Sequence, residues 1–265
     1  MAHIPSSRPE LVVVTGAGRG IGRAVAMDAA DRGARVLCIS RTAACADTAR
    51  AIRDAGGRAE SLPLDLANYS NARDTVAEWM KDREERHIGL VLAAGFLGPS
   101  GPLIATQLED WDRTLRTNVL GNLAVVQACL PALQANGWGR ILFFSGGGAA
   151  YAYPLFPAYS IAKTALVRAV ENLHEDLKQS GEFAVAILAP GAVETEMLAA
   201  VRASGAEVRT TVPIAEPVAF VQSFLSSPNR GLSGRFVHVR DRWPEILCGD
   251  ASPARDDLWK LRRVE

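Results

Sequence analysis

Tyr159 and Lys163 are the pair in this sequence best placed to do chemistry, because they stand four positions apart. On a helix that spacing puts both on one face, a turn apart, and brings an ammonium within reach of a phenol. A tyrosine of pKa ~10 is a poor base at neutral pH. A neighbouring positive charge favours the phenolate and makes the phenol a usable proton donor and acceptor. Taken alone, Tyr-x-x-x-Lys also describes many solvated helix faces. A second candidate is Thr15-Gly16-Ala17-Gly18-Arg19-Gly20-Ile21-Gly22, which follows the apolar run Leu11 to Val14 and opens a helical segment near Ile21. Strand, glycine turn and helix in that order bind phosphate: glycines permit a sharp turn and close approach, and the helix N–H groups and dipole face the anion. An ordinary strand–helix turn has the same look. Ser145, ahead of three glycines, and Asn118, inside a long helical stretch, complete the set. By themselves they read equally as a turn residue and a helix-surface amide.

These residues need a frame, and the sequence alternates strand-like and helix-like segments. Strands are expected at Leu11 to Val14, Ala34 to Ser40, Ala59 to Leu64, Ile88 to Ala94, Arg140 to Phe144, Phe183 to Leu188 and Arg235 to Val239. Helices are expected at Ile21 to Arg32, Ala43 to Ala55, Asn71 to Arg86, Thr106 to Gln134, Ala158 to Gln179 and Ala215 to Leu225. The stretch Ala158 to Gln179 carries apolar residues at Ala162, Ala165, Leu166, Ala169, Val170, Leu173 and Leu177, a helical spacing. Such alternation predicts an α/β fold: a Rossmann-type, doubly wound, mostly parallel seven-stranded sheet with helices on both faces. Ligands in these folds bind beyond the carboxyl ends of the strands. The glycine turn, Arg41, Asp65, Gly95, Ser145 and Pro190-Gly191 all follow predicted strands. Residues 1–265 are read as one domain, with a loose tail at 1–10 and a C-terminal extension at 241–265 whose Trp243, Trp259 and Leu261 suggest docking.

Composition narrows the function classes. A chain of 265 residues with 48% hydrophobic and 22% charged residues can bury a substantial core. Its formal net charge is zero, so electrostatics gives no case for nucleic acid or an anionic membrane. No apolar run approaches the ~18 residues of a membrane span, and the first ten residues lack the pattern of a signal peptide. Cys38, Cys45, Cys129 and Cys248 show no paired metal spacing. Reduced thiols, a cytoplasmic location and no metal site are the expectation.

The glycine octet, Asn118, Ser145 and Tyr159-Ser160-Ile161-Ala162-Lys163, in this order, resemble the short-chain dehydrogenase/reductase family, and the likeness runs from Leu11 to about Val239. The glycine spacing resembles its short oxidoreductase branch. The resemblance implies that Gly16, Gly20, Ile21 and Gly22 seat a pyrophosphate. It implies that Asp65, with Leu66, holds the adenine amino group, although Asp65 also reads as a helix N-cap. Ala93-Ala94-Gly95 resembles the family's Asn-Ala-Gly, with Ala93 (or Leu92, for a two-asparagine version) where an asparagine is common; a side-chain bond between neighbouring strands is thereby in doubt. Pro190, Gly191, Val193 and Thr195 resemble the nicotinamide wall, which implies transfer of the pro-S hydride. Tyr159 is implied as general acid/base, Lys163 as its electrostatic partner and ribose ligand, Ser145 as donor to the substrate oxygen, and Asn118 as a helix interruption that completes a proton relay. Two departures stand out: Ser145 to Tyr159 is one residue longer than the commonest spacing, and Phe236 to Asp241 replaces a terminal Asp-Gly-Gly.

Cofactor choice turns on the end of the second strand. Ser40 stands where an acidic residue would accept the ribose hydroxyls of NAD, and Arg41 follows it. With Arg19 approaching from the glycine loop, the pattern resembles NADP-dependent members, so NADP(H) is expected over NAD(H). The expected reaction is interconversion of a carbonyl and a secondary alcohol, running as ketone or aldehyde reduction. Phe96, Tyr151, Tyr153, Phe156 and Met197 are candidates to line a partly apolar substrate pocket. The alternatives are a non-catalytic NADP(H)-binding regulator, or an isomerase or dehydratase on the same fold. The long helices imply a homotetramer or homodimer.

Overall fold

The structure is a computed structural model and describes residues 8–208, 210–249 and 257–261. Seven strands form one sheet in the order β3-β2-β1-β4-β5-β6-β7, and all six neighbouring pairs are parallel. They are β1 (Leu11–Thr15), β2 (Arg35–Ser40), β3 (Arg58–Pro63), β4 (Ile88–Leu92), β5 (Trp138–Phe144), β6 (Glu182–Ala189) and β7 (Arg235–His238). The helices are α1 (Gly20–Asp31), α2 (Ala44–Asp54), α3 (Tyr69–Met80), α4 (Leu108–Leu115), α5 (Gly121–Asn136), α6 (Pro157–Leu177), α7 (Glu196–Ala203), α8 (Ala215–Ser226) and α9 (Trp243–Leu247).

Every residue of β1, β4 and β5 is buried, as strands covered on both faces require. The side-chain alternation of a strand then divides the core into two halves. Val12 and Val14 face one half with Val25 and Ala26 of α1, Ala49 of α2 and Phe220 and Phe224 of α8. Leu11 and Val13 face the other, with Val76 of α3, Val125 of α5 and Leu166 and Val170 of α6. The strand order reverses between β1 and β4, so a crevice opens where the turns after these two strands diverge.

The sequence reading differs from the structure in four places. The long helical region is two helices, α4 and α5, joined through a π turn at Arg116–Leu120. The segment 192–213, where no helix was expected, carries α7, which Thr195 caps by accepting the Leu198 N–H at 3.4 Å. Helix α3 starts at Tyr69 under an Asn68 cap and ends at Met80, before the charged run 81–86. The extension after β7 forms α9; Trp243 meets Phe220 edge-on at 5.0 Å, and the Trp259 carbonyl accepts the Phe236 N–H at 2.7 Å. The expected tail at 1–10 lies partly outside the described residues. Among the described residues no helix is long and apolar enough to cross a membrane.

Candidate active site

The turn after β1 is built for close approach. Gly16 and Gly20 have φ of 70° and 53°, the left-handed region that favours glycine. A Cβ at Gly16 would stand 2.9 Å from the Ala93 carbonyl, and one at Gly22 would stand 2.3 Å from the Gly16 oxygen. Helix α1 starts within this turn, and its N-cap, Arg19, makes no side-chain cap. Its first-turn N–H groups are therefore available to an anion, with half-buried Ile21 beside them. The residues fit a dinucleotide pyrophosphate.

At the end of β2, Ser40 is turned inward. Its hydroxyl donates to the Thr42 carbonyl at 2.8 Å and accepts the Cys45 N–H at 3.2 Å, so it closes the start of α2. Arg41 is exposed and has no ion-pair partner among the described residues. Arg19 is also exposed, but it pairs with Glu196 at the start of α7, across the mouth of the crevice. The sequence reading did not include Glu196. Asp65 Oδ1 accepts the Ala67 N–H at 3.0 Å, while Asn68 caps α3, so Asp65 is not the N-cap. Leu66 is buried against Gly121 of α5, where a Cβ would stand 2.4 Å from the Leu66 oxygen.

The four expected chemical residues converge at the carboxyl ends of β4 and β5. Ser145 follows β5, is 3% exposed, and its Oγ has no hydrogen-bond partner among the described residues. A Cβ at Gly146 would stand 3.0 Å from Tyr159 Oη, which places the phenol against the backbone that follows Ser145. Lys163 Nζ is 5.4 Å from the Tyr159 ring centre and donates to the Phe144 carbonyl at 2.7 Å. Asn118 lies in the π turn and is fully buried. A Cβ at Gly95 would stand 3.1 Å from Asn118 Oδ1 and 3.5 Å from Lys163 Nζ, so the bare glycine leaves a gap between the two. Between Ser145 and Tyr159 the chain makes one 3-10 turn, Gly147–Ala149.

Burial dominates the electrostatics. It pushes the Lys163 ammonium down to about 8 and, with Tyr153 adding to it, raises the Tyr159 phenol above its ordinary range. The sequence reading expected Lys163 to favour the phenolate. These residues alone do not achieve that, because the ammonium bonds a carbonyl rather than the phenol oxygen.

The far wall is Pro190-Gly191 after β6. Val193 pairs with Val212 in a short bridge that closes the base of the α7 segment. The Thr195 hydroxyl donates to the Val193 carbonyl at 3.1 Å besides capping α7, so it is already engaged within its own loop. Of the expected pocket residues, Tyr153 and Met197 are half-buried, and Phe96 is held by its backbone. Tyr151 is exposed and folds over Gly147, where a Cβ would meet its hydroxyl at 2.2 Å. Phe156 is 3% exposed and packs on Tyr153, with ring centres 5.5 Å apart.

Residues 10–205 match the family model for short chain dehydrogenases, and the chain belongs to that family. It is 33% identical over 220 residues to an NADPH-dependent aldehyde reductase-like protein, chloroplastic, of Arabidopsis thaliana, covering 74% of this chain and 78% of that one. It is 32% identical over 212 residues to cis-4-hydroxycyclohexanecarboxylate dehydrogenase of Sinomonas cyclohexanicum, covering 78% and 82%. A solved structure of a candidate NAD(P)-dependent gluconate 5-dehydrogenase from Beutenbergia cavernae, with bound NADP, superposes with a TM-score of 0.81 at 30% identity, covering 87% of this chain and 94% of that one. The protein is an NAD(P)-dependent oxidoreductase.

Proposed function

We propose that this protein interconverts a carbonyl and a secondary alcohol with NADP(H), and that it works as a ketone or aldehyde reductase. The observation that carries the reading is the Ser145 hydroxyl, buried without a partner among the described residues, with the Tyr159 phenol against the next residue, Gly146. A buried, unpaired hydroxyl costs about 1–3 kcal/mol, and a substrate oxygen at this point would satisfy it. A bound nicotinamide supplies the hydride for reduction and accepts it for oxidation. Ser145 then donates to the substrate oxygen as negative charge gathers there, and Tyr159 delivers the proton to that oxygen. Lys163 keeps positive charge behind the phenol and would reprotonate it through the gap at Gly95.

Arg41 and Arg19 carry the NADP(H) preference in this reading. The aldehyde reductase-like relative is named for NADPH and the Beutenbergia structure holds NADP, which supports it. Residues 1–265 act as one domain, in the cytoplasm, and assemble as a homodimer or homotetramer. The test is NADPH consumption by the purified protein over a panel of ketones and aldehydes, beside Ser145→Ala. Turnover lost in the variant with NADPH binding retained is the expected result. An inert wild type, or a fully active variant, refutes the reading.

A further inference from the structure

Asn122 was not singled out by the sequence reading, and the reaction above does not use it. Its side chain is fully buried, yet both ends are committed. Oδ1 accepts the Thr15 hydroxyl at 2.8 Å, and Nδ2 donates to the carbonyls of Ala94 and Asn118, each at 3.0 Å. Thr15 Oγ1, also fully buried, accepts the Ala94 N–H at 3.0 Å. Both backbone polar groups of Ala94 are thus held, one by Thr15 and the other by Asn122.

This junction lies just past the end of the β1–β4 ladder. The β1–β4 ladder ends at Thr15 opposite Leu92, and beyond it the chains diverge into the glycine turn and Ala93-Ala94-Gly95. Three pieces of the site abut here. The Gly16 turn packs on the Ala93–Ala94 backbone, Gly95 borders Asn118 and Lys163, and the π turn carries Asn118. A buried amide with every bond made fixes one arrangement. Ala93 stands where an asparagine is common in the family and has no polar side chain; Asn122 bonds Thr15 and Ala94, at the ends of β1 and β4, from the helix side.

We infer that Asn122 is a positioning residue that holds the cofactor turn, Gly95 and Asn118 in one register, and so couples cofactor seating to proton delivery. The inference rests on the reading of the site given under Proposed function.

The experiment compares Asn122→Leu and Asn122→Asp with the wild type. Leucine keeps the volume and loses every bond. Aspartate keeps the acceptor for Thr15 but, when ionised, has no donor for the two carbonyls. The readouts are the NADPH dissociation constant by nucleotide fluorescence, the split between kcat and cofactor KM, and the pH profile of kcat. A misplacement of ~1 Å can cost ~10²-fold in rate. Asn122→Leu is expected to weaken NADPH binding and lower kcat, each by about tenfold or more. Asn122→Asp should be impaired at neutral pH and recover as pH falls, because the protonated carboxyl regains a donor. If Asn122→Leu merely melts earlier while the dissociation constant, kcat and pH profile stay at wild-type values, the inference fails. Where the leucine variant does not fold, Asn122→Asp decides: a pH profile parallel to the wild type overturns the inference. A wild type inert toward every carbonyl defeats the proposed reaction, while the NADPH dissociation constants still test Asn122.

Discussion

Asn118 holds the backbone of Phe96 at both ends: Nδ2 donates to the Phe96 carbonyl and Oδ1 accepts the Phe96 N–H, each at 2.9 Å. The amide is spent on pinning the segment after β4, and Gly95 is kept against Lys163 as a result. Asn118→Ala removes both bonds in a buried place. The expected cost is about 2–4 kcal/mol of stability, read by urea denaturation, with kcat lowered more than tenfold (~1.4 kcal/mol) in the folded protein. An unchanged midpoint and rate would show that the two bonds position nothing.

Tyr159→Phe keeps the ring and its packing and loses the ionisable hydroxyl. Turnover is expected to drop by about 10²–10⁴, with NADPH affinity within a few-fold of wild type. Turnover near wild type in this variant excludes Tyr159 as the proton donor.

Lys163 titrates at about 8 in the folded protein, below its ordinary value of 10.5. Between those values the unfolded chain binds more protons than the native one, so this group makes stability rise with pH, by up to about 1.4 kcal/mol per pH unit. Below the lower value, the buried charge destabilises the native state by the full amount. Lys163→Met abolishes the term. The stability difference between variant and wild type, measured by denaturation from neutral to alkaline pH without cofactor, should shrink as pH rises. Tyr159 is common to both proteins and cancels. A difference independent of pH contradicts the lowered lysine.

Arg41 is the exposed cation at the end of β2 and is expected to meet the 2′-phosphate. One charge-assisted bond is worth roughly 1.5–3 kcal/mol, so Arg41→Ala should cost NADP(H) about tenfold to a hundredfold in kcat/KM and leave NAD(H) untouched. Ser40→Asp adds a carboxylate and should move the preference further toward NAD(H). Glu196→Gln releases Arg19 and should tighten NADP(H) binding only severalfold, because exposed ion pairs are worth less than about 1 kcal/mol. Equal loss with both cofactors in Arg41→Ala removes the assignment.

Association can be tested on α6 and the π turn. Ile161 is 51% exposed and Leu120 is 42% exposed in the single chain, on the helical regions expected to pair across a twofold axis. Light scattering should give the mass of a dimer or tetramer, and Ile161→Glu should lower it. A wild-type monomer at micromolar concentration ends this reading.

The parallel strands were legible because burial on both faces writes continuous apolar runs, as in Leu11 to Val14 and Ile141 to Phe144. The glycine turn and the Tyr159–Lys163 spacing were legible because their chemistry is local. What escaped depends on contacts between distant segments. The bonds of Asn122 reach residues up to 107 positions away; its one signal was an amide inside an apolar helical run. The Arg19–Glu196 pair spans 177 positions. Helix α7 did leave a local mark, Thr195 as an N-cap three residues before Leu198, but at 8 residues it is short for a periodic pattern to show.

The π turn at Arg116–Leu120 has a consequence for chain length. In an α-helix each residue adds ~100° of rotation, and a π turn admits one residue beyond that winding. It therefore acts as a phase shifter between α4 and α5, which run on as one rod with their faces offset. Substitution on the exposed side of this rod changes the surface alone. Deleting a single residue from 116–120 would let the helix wind through without a break and swing Asn118 away from Phe96, or else carry the whole of α5 round with it. The number of residues here, quite apart from their identity, is part of what keeps the site assembled.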